Sequence, residues 1–513
     1  MHKKNKFIFA DISAIRNKGL KLLKYSEPWP VAEEEFQEFS EYLHGQYERL
    51  ILELEDELFD IALIDYKFQS VLLQIFHYNY VKNYAKKNSI DILYERESKS
   101  YLNPCWNKLG KQYSLFRPYH NKSIRIIRRF IKNIFFNKHL PVYKILYGLF
   151  SKKTFISVGS NSNLKKDYIL KKSIYCDHKD VYDILNFNTS KDKRRLTKIY
   201  HKKIMSGLIS PYLEILRSNG GMFLEGISLF DIESCWSDRF NDIIPAYINI
   251  LNSNSKESFL VTEASSLMSR ILVIGYQRIG CKVFGFHHGG DFAATTTNQT
   301  HKGAMTHCQN LIVPTSGIAK QYHKIYSSLE LETRTKTKYH SIESQSDLFF
   351  SFKRIPESNQ NIKTVMLMGF PMSCQRRVGE KGLFFLSKIS TEYEILVFLK
   401  KIGLNVLYKA HPDRREEVEG VFDKVADRVI YDTFEKSWEM ADAFIFTYTS
   451  TTTFAYALET DRKIILVDVD TNKTDKELRK KLGEIVDYVP ATIANDSIRV
   501  KFDKEKLSEV LSP

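Results

Sequence analysis

Five Ser or Thr side chains stand among the six residues from Thr447 to Thr452, with no Gly or Pro between them. They follow the apolar stretch "AFIF" and precede the helix-like "FAYALE", so the pattern predicts a turn between a buried strand and a helix. The first N–H groups of a helix lack internal partners and favour anions, and nearby hydroxyls add donors. One Ser or Thr would suffice as an N-cap. The dense run therefore favours a phosphate cradle at Thr449, Ser450 and Thr451.

Basic side chains follow two other predicted strands. His411 comes after the strand "LNVLY", and Pro412 prevents that strand from continuing, so we expect the imidazole at the sheet edge, where it can donate to a phosphate. Lys409 precedes it in the same stretch, "LYKAHPD". Arg376 and Arg377 follow the strand in "KTVMLMGFP", and two guanidiniums suit a pyrophosphate. The alternative for each is an ordinary structural histidine or surface cation.

The elements that must position these residues alternate along the chain. Short apolar runs such as "KTFISV", "KVFGF", "TVMLM" and "KIILVD" are followed by helix-like stretches, which predicts an α/β fold with parallel sheets. Open parallel sheets bind ligands at the carboxyl ends of their strands, where the polar residues collect. The simplest architecture is two Rossmann-like domains facing a cleft. We expect an N-terminal domain over residues 1–330, a linker over 331–361, a C-terminal domain over 362–490 and a tail over 491–513.

The composition of the chain indicates which kinds of partner the protein can bind. The chain has 513 residues, 43% of them hydrophobic, and a formal net charge of +15, so it should fold as more than one domain and attract anionic partners. Its six cysteines form no CxxC pair, which favours reduced thiols in the cytosol. No apolar run is long enough to span a membrane. No nucleic-acid motif accompanies the positive charge, so nucleic acid is not an expected partner.

A basic, apolar stretch stands out at about residues 100–150. The sequence "SIRIIRRFIKNIFFNKHL" interleaves Arg and Lys with Ile and Phe at helical spacing, so we expect a helical insertion there. Such a helix can lie on an anionic membrane surface. An ordinary surface helix whose apolar face packs on the domain is the alternative. The location expected is cytoplasmic, with peripheral contact at the inner face of the plasma membrane.

Two of these segments resemble a known group of enzymes. "KAHPD" and "ADAFIFTYTSTTTFAYALETDRKIILVD" resemble the signature regions of bacterial CDP-glycerol glycerophosphotransferases, polysialyltransferases and capsule Kdo transferases. "FGFHHGGDF" is similar to the His-Gly turn of the same group. The resemblance implies a GT-B fold and a metal-independent glycosyltransferase. That enzyme would move a sugar from a nucleotide-activated donor, CMP- or CDP-linked, to a bacterial surface glycan or glycolipid. The hydroxyl loop has Thr where the group often has Asp or a second Ser.

The N-terminal half then offers candidates for the catalytic base. Gly289 lets the chain turn sharply beside a substrate, and His288 and Asp291 flank it. An inverting transfer needs one such group to take the acceptor proton. We rank Asp291 and His288 first, Glu263 next and Glu225 last, and each carboxylate has a surface or capping role as its alternative.

Neither a metal nor a bound cofactor is expected. The histidines in "QTHKGAMTHCQN" do not have the spacing of a metal site, and Arg, His and hydroxyl groups can hold the nucleotide phosphates. Two other functions share much of this pattern: a nucleotide-sugar epimerase of the same architecture and a non-catalytic protein that binds a nucleotide or glycan.

Overall fold

The protein is an α/β chain with three parallel-strand sheets in the part that the structure describes. The computed structural model describes residues 6–96, 98–111, 133, 137, 140–142, 145, 155–160, 162–185, 191–262, 266–287, 307–327, 329–343, 361–369, 385–411, 415–449, 451–469, 476–493 and 500–512. The predicted α/β class is confirmed. Most of the basic stretch at about 100–150 lies outside the described residues.

A small parallel pair and a helical layer come first. Strand β1 (Phe7–Phe9) pairs in parallel with β2 (Asp91–Leu93), separately from the two larger sheets. The helices of this part of the chain are α1 (Ile12–Lys18), α2 (Glu33–Leu52), α3 (Asp56–Asp65), α4 (Phe68–Lys87), α5 (Lys99–Leu102) and α6 (Trp106–Gly110).

The first large sheet is entirely parallel. Its strands are β3 (Phe155–Val158), β4 (Cys176–His178), β5 (Ser258–Val261), β6 (Val283–Phe286), β7 (Asn310–Val313) and β8 (Lys338–Ser341), in the order β4-β3-β5-β6-β7-β8. The helices of this region are α7 (Asn163–Lys172), α8 (Val181–Ile184), α9 (Lys191–Ile204), α10 (Ser210–Asn219), α11 (Gly221–Leu224), α12 (Leu229–Leu251), α13 (Leu267–Arg278), α14 (Ser316–Tyr326) and α15 (Glu330–Thr335). Most of α15 and all of β8 fall within residues 331–361, the stretch expected to form the linker, so the first sheet extends to residue 341.

Helix α12 illustrates how the helices of the N-terminal half pack against one another. Its buried residues recur every three or four positions, and the Ser228 side chain caps its first turn by accepting from the Asp231 N–H. Arg239 on the buried face forms an ion pair with Asp65 of α3, and both side chains are almost fully buried. Because each charge has its partner, the pair joins two helices deep in the core without leaving an unpaired charge.

The second large sheet has six parallel strands and one antiparallel edge strand. Its strands are β9 (Thr364–Met368), β10 (Asn405–Lys409), β11 (Arg428–Ile430), β12 (Ala443–Phe446), β13 (Lys463–Val469), β14 (Val486–Ile493) and β15 (Val500–Phe502). The order is β11-β10-β9-β12-β13-β14-β15, with β15 antiparallel to β14. The six parallel strands therefore follow the 3-2-1-4-5-6 order of a Rossmann sheet.

Helices cover both faces of this second sheet. They are α16 (Phe385–Lys401), α17 (Arg415–Val418), α18 (Phe434–Ser437), α19 (Thr452–Ala457), α20 (Lys476–Leu482) and α21 (Lys504–Leu511). Residues 491–513 were expected to form a tail, but β15 and α21 make part of that segment a component of the domain. In the described part of the chain, no helix is both long and apolar enough to cross a membrane.

Candidate functional site

The candidate site lies at the carboxyl edge of the second sheet. Strands β9 and β12 are neighbours, and Ile445 is in register with Leu367, so the chain leaves the two strands side by side at Gly369 and Thr447. The chain winds outward in opposite directions from these two strands. This is the topological switch point, where open α/β sheets bind ligands in the crevice beyond the strand ends.

The turn after β12 carries the predicted hydroxyl run. Its strand and helix lie where the sequence predicted them, with α19 starting two residues earlier than expected. Thr449 is buried, and its carbonyl accepts from the Thr451 N–H at 2.7 Å. Thr451 is the N-cap of α19 and accepts from the Thr453 N–H at 3.3 Å. The Thr451 side chain therefore has a capping role, while Ser450 lies outside the described residues.

Thr447 differs from its neighbours in the turn. Its side chain is fully buried, and Oγ1 has no hydrogen-bond partner in the part of the chain that the structure describes. A buried hydroxyl without a partner costs free energy, and most buried polar groups in proteins avoid this. A ligand group in the crevice could supply the missing partner.

A buried lysine lies beneath this turn. Lys388 of α16 is 3% exposed, and its ammonium donates to the Thr447 carbonyl at 3.4 Å. The ammonium also lies 5.9 Å from the centre of the Tyr448 ring. The Tyr448 hydroxyl donates to the Gly369 carbonyl at 3.3 Å, so this side chain connects the ends of β12 and β9. Sequence reasoning missed Lys388 because a lysine in a long amphipathic helix normally faces solvent.

A second polar pair supports the end of β9. The Tyr408 hydroxyl donates to Glu392 at 2.8 Å, and both side chains are fully buried. Burial, followed by the nearby Glu392 carboxylate, raises the pKa of Tyr408 well above its usual value, so the phenol stays protonated. A Cβ on Gly369 would lie 2.6 Å from the Tyr408 ring carbon that bears the hydroxyl. Glycine is therefore required there by close approach.

Lys409 reaches the same sheet edge from the opposite face. Its ammonium is buried and donates to the Ala410 carbonyl at 2.5 Å. Burial lowers the pKa of this lysine to about 8, with Glu435 and Asp432 opposing the shift. Leu407 of the same strand packs in the core cluster on this face, whereas Tyr408 packs in the cluster on the other face. The edge thus carries one buried lysine on each side of the sheet.

His411 is exposed and follows β10 by two residues. Strands β10 and β12 both flank β9, so their exits lie about 10 Å apart across two strand spacings. The structure therefore brings His411 and the hydroxyl turn to one edge of one sheet, as the sequence predicted for the ends of neighbouring strands. Arg376 and Arg377 follow β9 but lie outside the described residues.

The structure describes fewer of the residues predicted to act as the catalytic base. Glu263, His288, Gly289 and Asp291 lie outside the described residues. Their strands are described: β5 ends at Val261 and β6 ends beside it, so the two exits are adjacent at the carboxyl edge of the first sheet.

Glu225 lies elsewhere. It follows α11 in the helical layer, its side chain is 48% exposed, and its carboxylate pairs with Lys87 at 2.9 Å. Its carbonyl accepts from the side-chain amides of Asn79 and Asn83. These contacts give it a structural role away from the strand ends.

At the switch point of the first sheet, between β3 and β5, the protein's own groups bond to one another. The Thr262 hydroxyl lies 2.5 Å from the Ser160 carbonyl, and the buried Lys165 ammonium donates to the Val158 carbonyl at 2.9 Å. A Cβ on Gly159, whose φ is +82°, would lie 2.6 Å from the Thr262 carbonyl oxygen. The polar groups of this turn are bonded to the protein's own carbonyls, whereas the Thr447 hydroxyl has no partner among the described residues, so the second sheet is the better place for a ligand.

No cluster of three or more His, Cys, Asp or Glu side chains that could hold a metal occurs among the residues described. Comparison with models of known protein families gave no match. Comparison with curated proteins also gave no match.

Proposed function

We propose that the protein is a GT-B glycosyltransferase that uses a nucleotide-activated sugar, CMP- or CDP-linked, to extend a bacterial surface glycan or glycolipid. The observation that carries the proposal is the switch point between β9 and β12, where the hydroxyl turn and the buried Lys388 lie together. A Rossmann-ordered sheet binds nucleotides at this position. The resemblance of "KAHPD" and the hydroxyl turn to the surface-glycan transferases supplies the reaction class.

The donor phosphates would occupy the crevice of the second sheet. His411 and the hydroxyls of the turn would donate to the phosphate oxygens, and Arg376 and Arg377 would provide further charge. Lys388 would fix the Thr447 peptide from below and contribute positive charge, while Lys409 would add charge from the other face. No metal or bound cofactor is required in this scheme, because the charges of the leaving nucleotide are met by protein groups.

The first sheet would bind the acceptor. Asp291, His288 or Glu263 would take the proton from the acceptor hydroxyl as the new bond forms, and Gly289 would leave room for the substrate. In this proposal the enzyme works on the cytoplasmic side of the membrane, where nucleotide sugars are made and lipid-linked acceptors are reached.

Thermal unfolding with a panel of nucleotides tests the donor site. CMP, CDP, UDP and GDP are each added to the full chain, and a nucleotide that binds only the folded state raises the melting temperature. We expect CMP or CDP to give the largest rise and His411→Ala to abolish it. His323→Ala, on the exposed side of α14 in the first sheet's region, is the matched control and should leave the rise intact.

Two results would count against the proposal. Nucleotide stabilisation that survives His411→Ala would mean that the donor site lies elsewhere. Stabilisation by none of the four nucleotides would remove the reason to assign a nucleotide-sugar donor at all.

A further inference from the structure

Helix α9, at Lys191–Ile204, has two chemically different faces. Leu196 and Tyr200 pack against the main core and Ile204 is fully buried, so this side faces the helical layer. His201 contacts Ser237 of α12 at 3.1 Å. The inward face is therefore fixed in place, and the residues of the outward face are exposed.

The outward face carries a row of five basic residues. They are Lys191, Arg194, Arg195, Lys198 and Lys202, all exposed. Their spacing places them in one stripe about 100° wide and about 16 Å long on an α-helix. We call these five residues the basic row.

The basic row is not neutralised within the described part of the chain. None of its five side chains forms an ion pair with a described carboxylate. By contrast, Lys203 on the flank pairs with Glu55 at 2.9 Å, and Lys193 donates to Asn249 at 2.7 Å. Like charges three and four residues apart repel on a helix, and cations near its N-terminus oppose the helix dipole. A nearby anionic surface would relieve both effects.

We propose that the basic row docks the protein on the phosphate headgroups of an anionic lipid bilayer. A straight row of exposed cations can reach a flat anionic surface all at once. Ile199, beside the row, is 43% exposed, and an apolar side chain at this position gains from entering the headgroup region but gains little from a nucleic-acid backbone. The aromatic residue of the helix, Tyr200, packs inward and is not available for stacking on bases.

This inference does not depend on the assignment of a nucleotide-sugar donor. It rests on the charges and exposure of α9, and its test contains no nucleotide, so its failure would leave the proposed function standing. It adds a described element to the membrane contact that the sequence predicted for residues 100–150.

Co-sedimentation of the full chain with lipid vesicles tests the proposal. Vesicles of phosphatidylcholine alone are compared with vesicles in which about a third of the lipid is anionic phosphatidylglycerol. We expect binding only to the anionic vesicles, with a steep loss as salt rises. Each Lys or Arg near such a surface contributes about fivefold in affinity, so Arg194→Gln/Arg195→Gln/Lys198→Gln should weaken binding about a hundredfold.

A control variant removes the same charge elsewhere. Lys166→Gln/Lys172→Gln/Lys401→Gln changes three exposed lysines on α7 and α16, and it should bind the anionic vesicles nearly as well as the wild type. Circular dichroism confirms that both variants are folded. Equal losses in the two triple variants would mean that net charge, not the basic row, causes the binding.

Two further results would overturn the proposal. Vesicle binding that survives the Arg194, Arg195 and Lys198 substitutions would assign membrane contact to another segment. Binding to a DNA duplex that exceeds binding to anionic vesicles, and that is unchanged in Ile199→Ser, would identify a soluble polyanion as the partner. If the basic row docks on lipid headgroups, Ile199→Ser should weaken vesicle binding severalfold.

Discussion

Replacing Lys409 by Met should make the protein more stable at neutral pH. Burial lowers the pKa of the Lys409 ammonium from its usual 10.5 to about 8, and Glu435 and Asp432 only partly offset this. A difference of one in pKa corresponds to about 1.4 kcal/mol, so the full shift corresponds to about 3 kcal/mol. The hydrogen bond to the Ala410 carbonyl that the substitution removes reduces this gain, and we expect a net gain of about 2 kcal/mol for Lys409→Met. Met has a similar shape and no charge to bury.

The gain should depend on pH in a defined direction. Below pH 8 the folded wild type must bury a charged ammonium that the unfolded chain leaves in water, so the full cost applies there. As pH rises from 8 towards 10.5, the folded chain has released its proton while the unfolded chain still holds it. The wild type therefore becomes relatively more stable, and the difference from the Met variant at about pH 9.5 should be less than half of that at neutral pH.

Urea unfolding of the full chain, followed by circular dichroism at several pH values, measures this difference. Lys401→Met, at the exposed end of α16, is the control and should change the free energy of unfolding by about 0.5 kcal/mol or less at every pH. A Lys409→Met variant that is less stable at pH 7, or whose advantage does not shrink at high pH, would refute the reasoning. Either result would mean that the Lys409 ammonium is well stabilised in the folded protein.

Three other substitutions test the core and the candidate site. Thr447→Val keeps the side-chain shape and removes a buried hydroxyl that has no partner among the described residues, so the melting temperature should hold or rise by about 2 °C while nucleotide stabilisation falls. A drop of several degrees without ligand would show that this hydroxyl already has a partner. Gly369→Ala should cost about 2 kcal/mol in urea unfolding, since the new Cβ meets the Tyr408 ring; wild-type stability would contradict the close approach. Arg239→Met leaves the buried Asp65 unpaired and should cost about 3–5 kcal/mol in thermal unfolding, whereas a loss under 1 kcal/mol would show that the carboxylate finds another partner.

The sequence predicted the local elements of the candidate site better than their arrangement. The strand before the hydroxyl run and the helix after it were predicted correctly, because an apolar run of four residues followed by Ser and Thr has a strong local pattern. The strand before His411 was predicted for the same reason. The order of the strands could not be read in this way, since β9 and β12 are more than 70 residues apart in the chain.

The buried polar groups could not be predicted from the sequence pattern. Lys388 and Glu392 are four residues apart on α16. When the orientation of the helix is unknown, this spacing predicts an ion pair on the exposed side. Only the packing of α16 against the sheet shows that this side faces inward towards Tyr408 and Thr447. Glu225 shows the opposite case, because a carboxylate beside a glycine looked like a site residue but serves the helical layer.

The contrast between the two sheets gives the strongest argument for where an anion would bind. In the described part of the first sheet a single buried ammonium, that of Lys165, donates to the carbonyls of Val158 and Ser160 in the turn after β3. At the second sheet, Lys388 and Lys409 approach the carboxyl edge from opposite faces. Two ammonium groups at one edge concentrate positive charge there, and a bound diphosphate would be attracted to both. Substitutions that remove either charge should therefore weaken nucleotide binding even where they make the fold more stable.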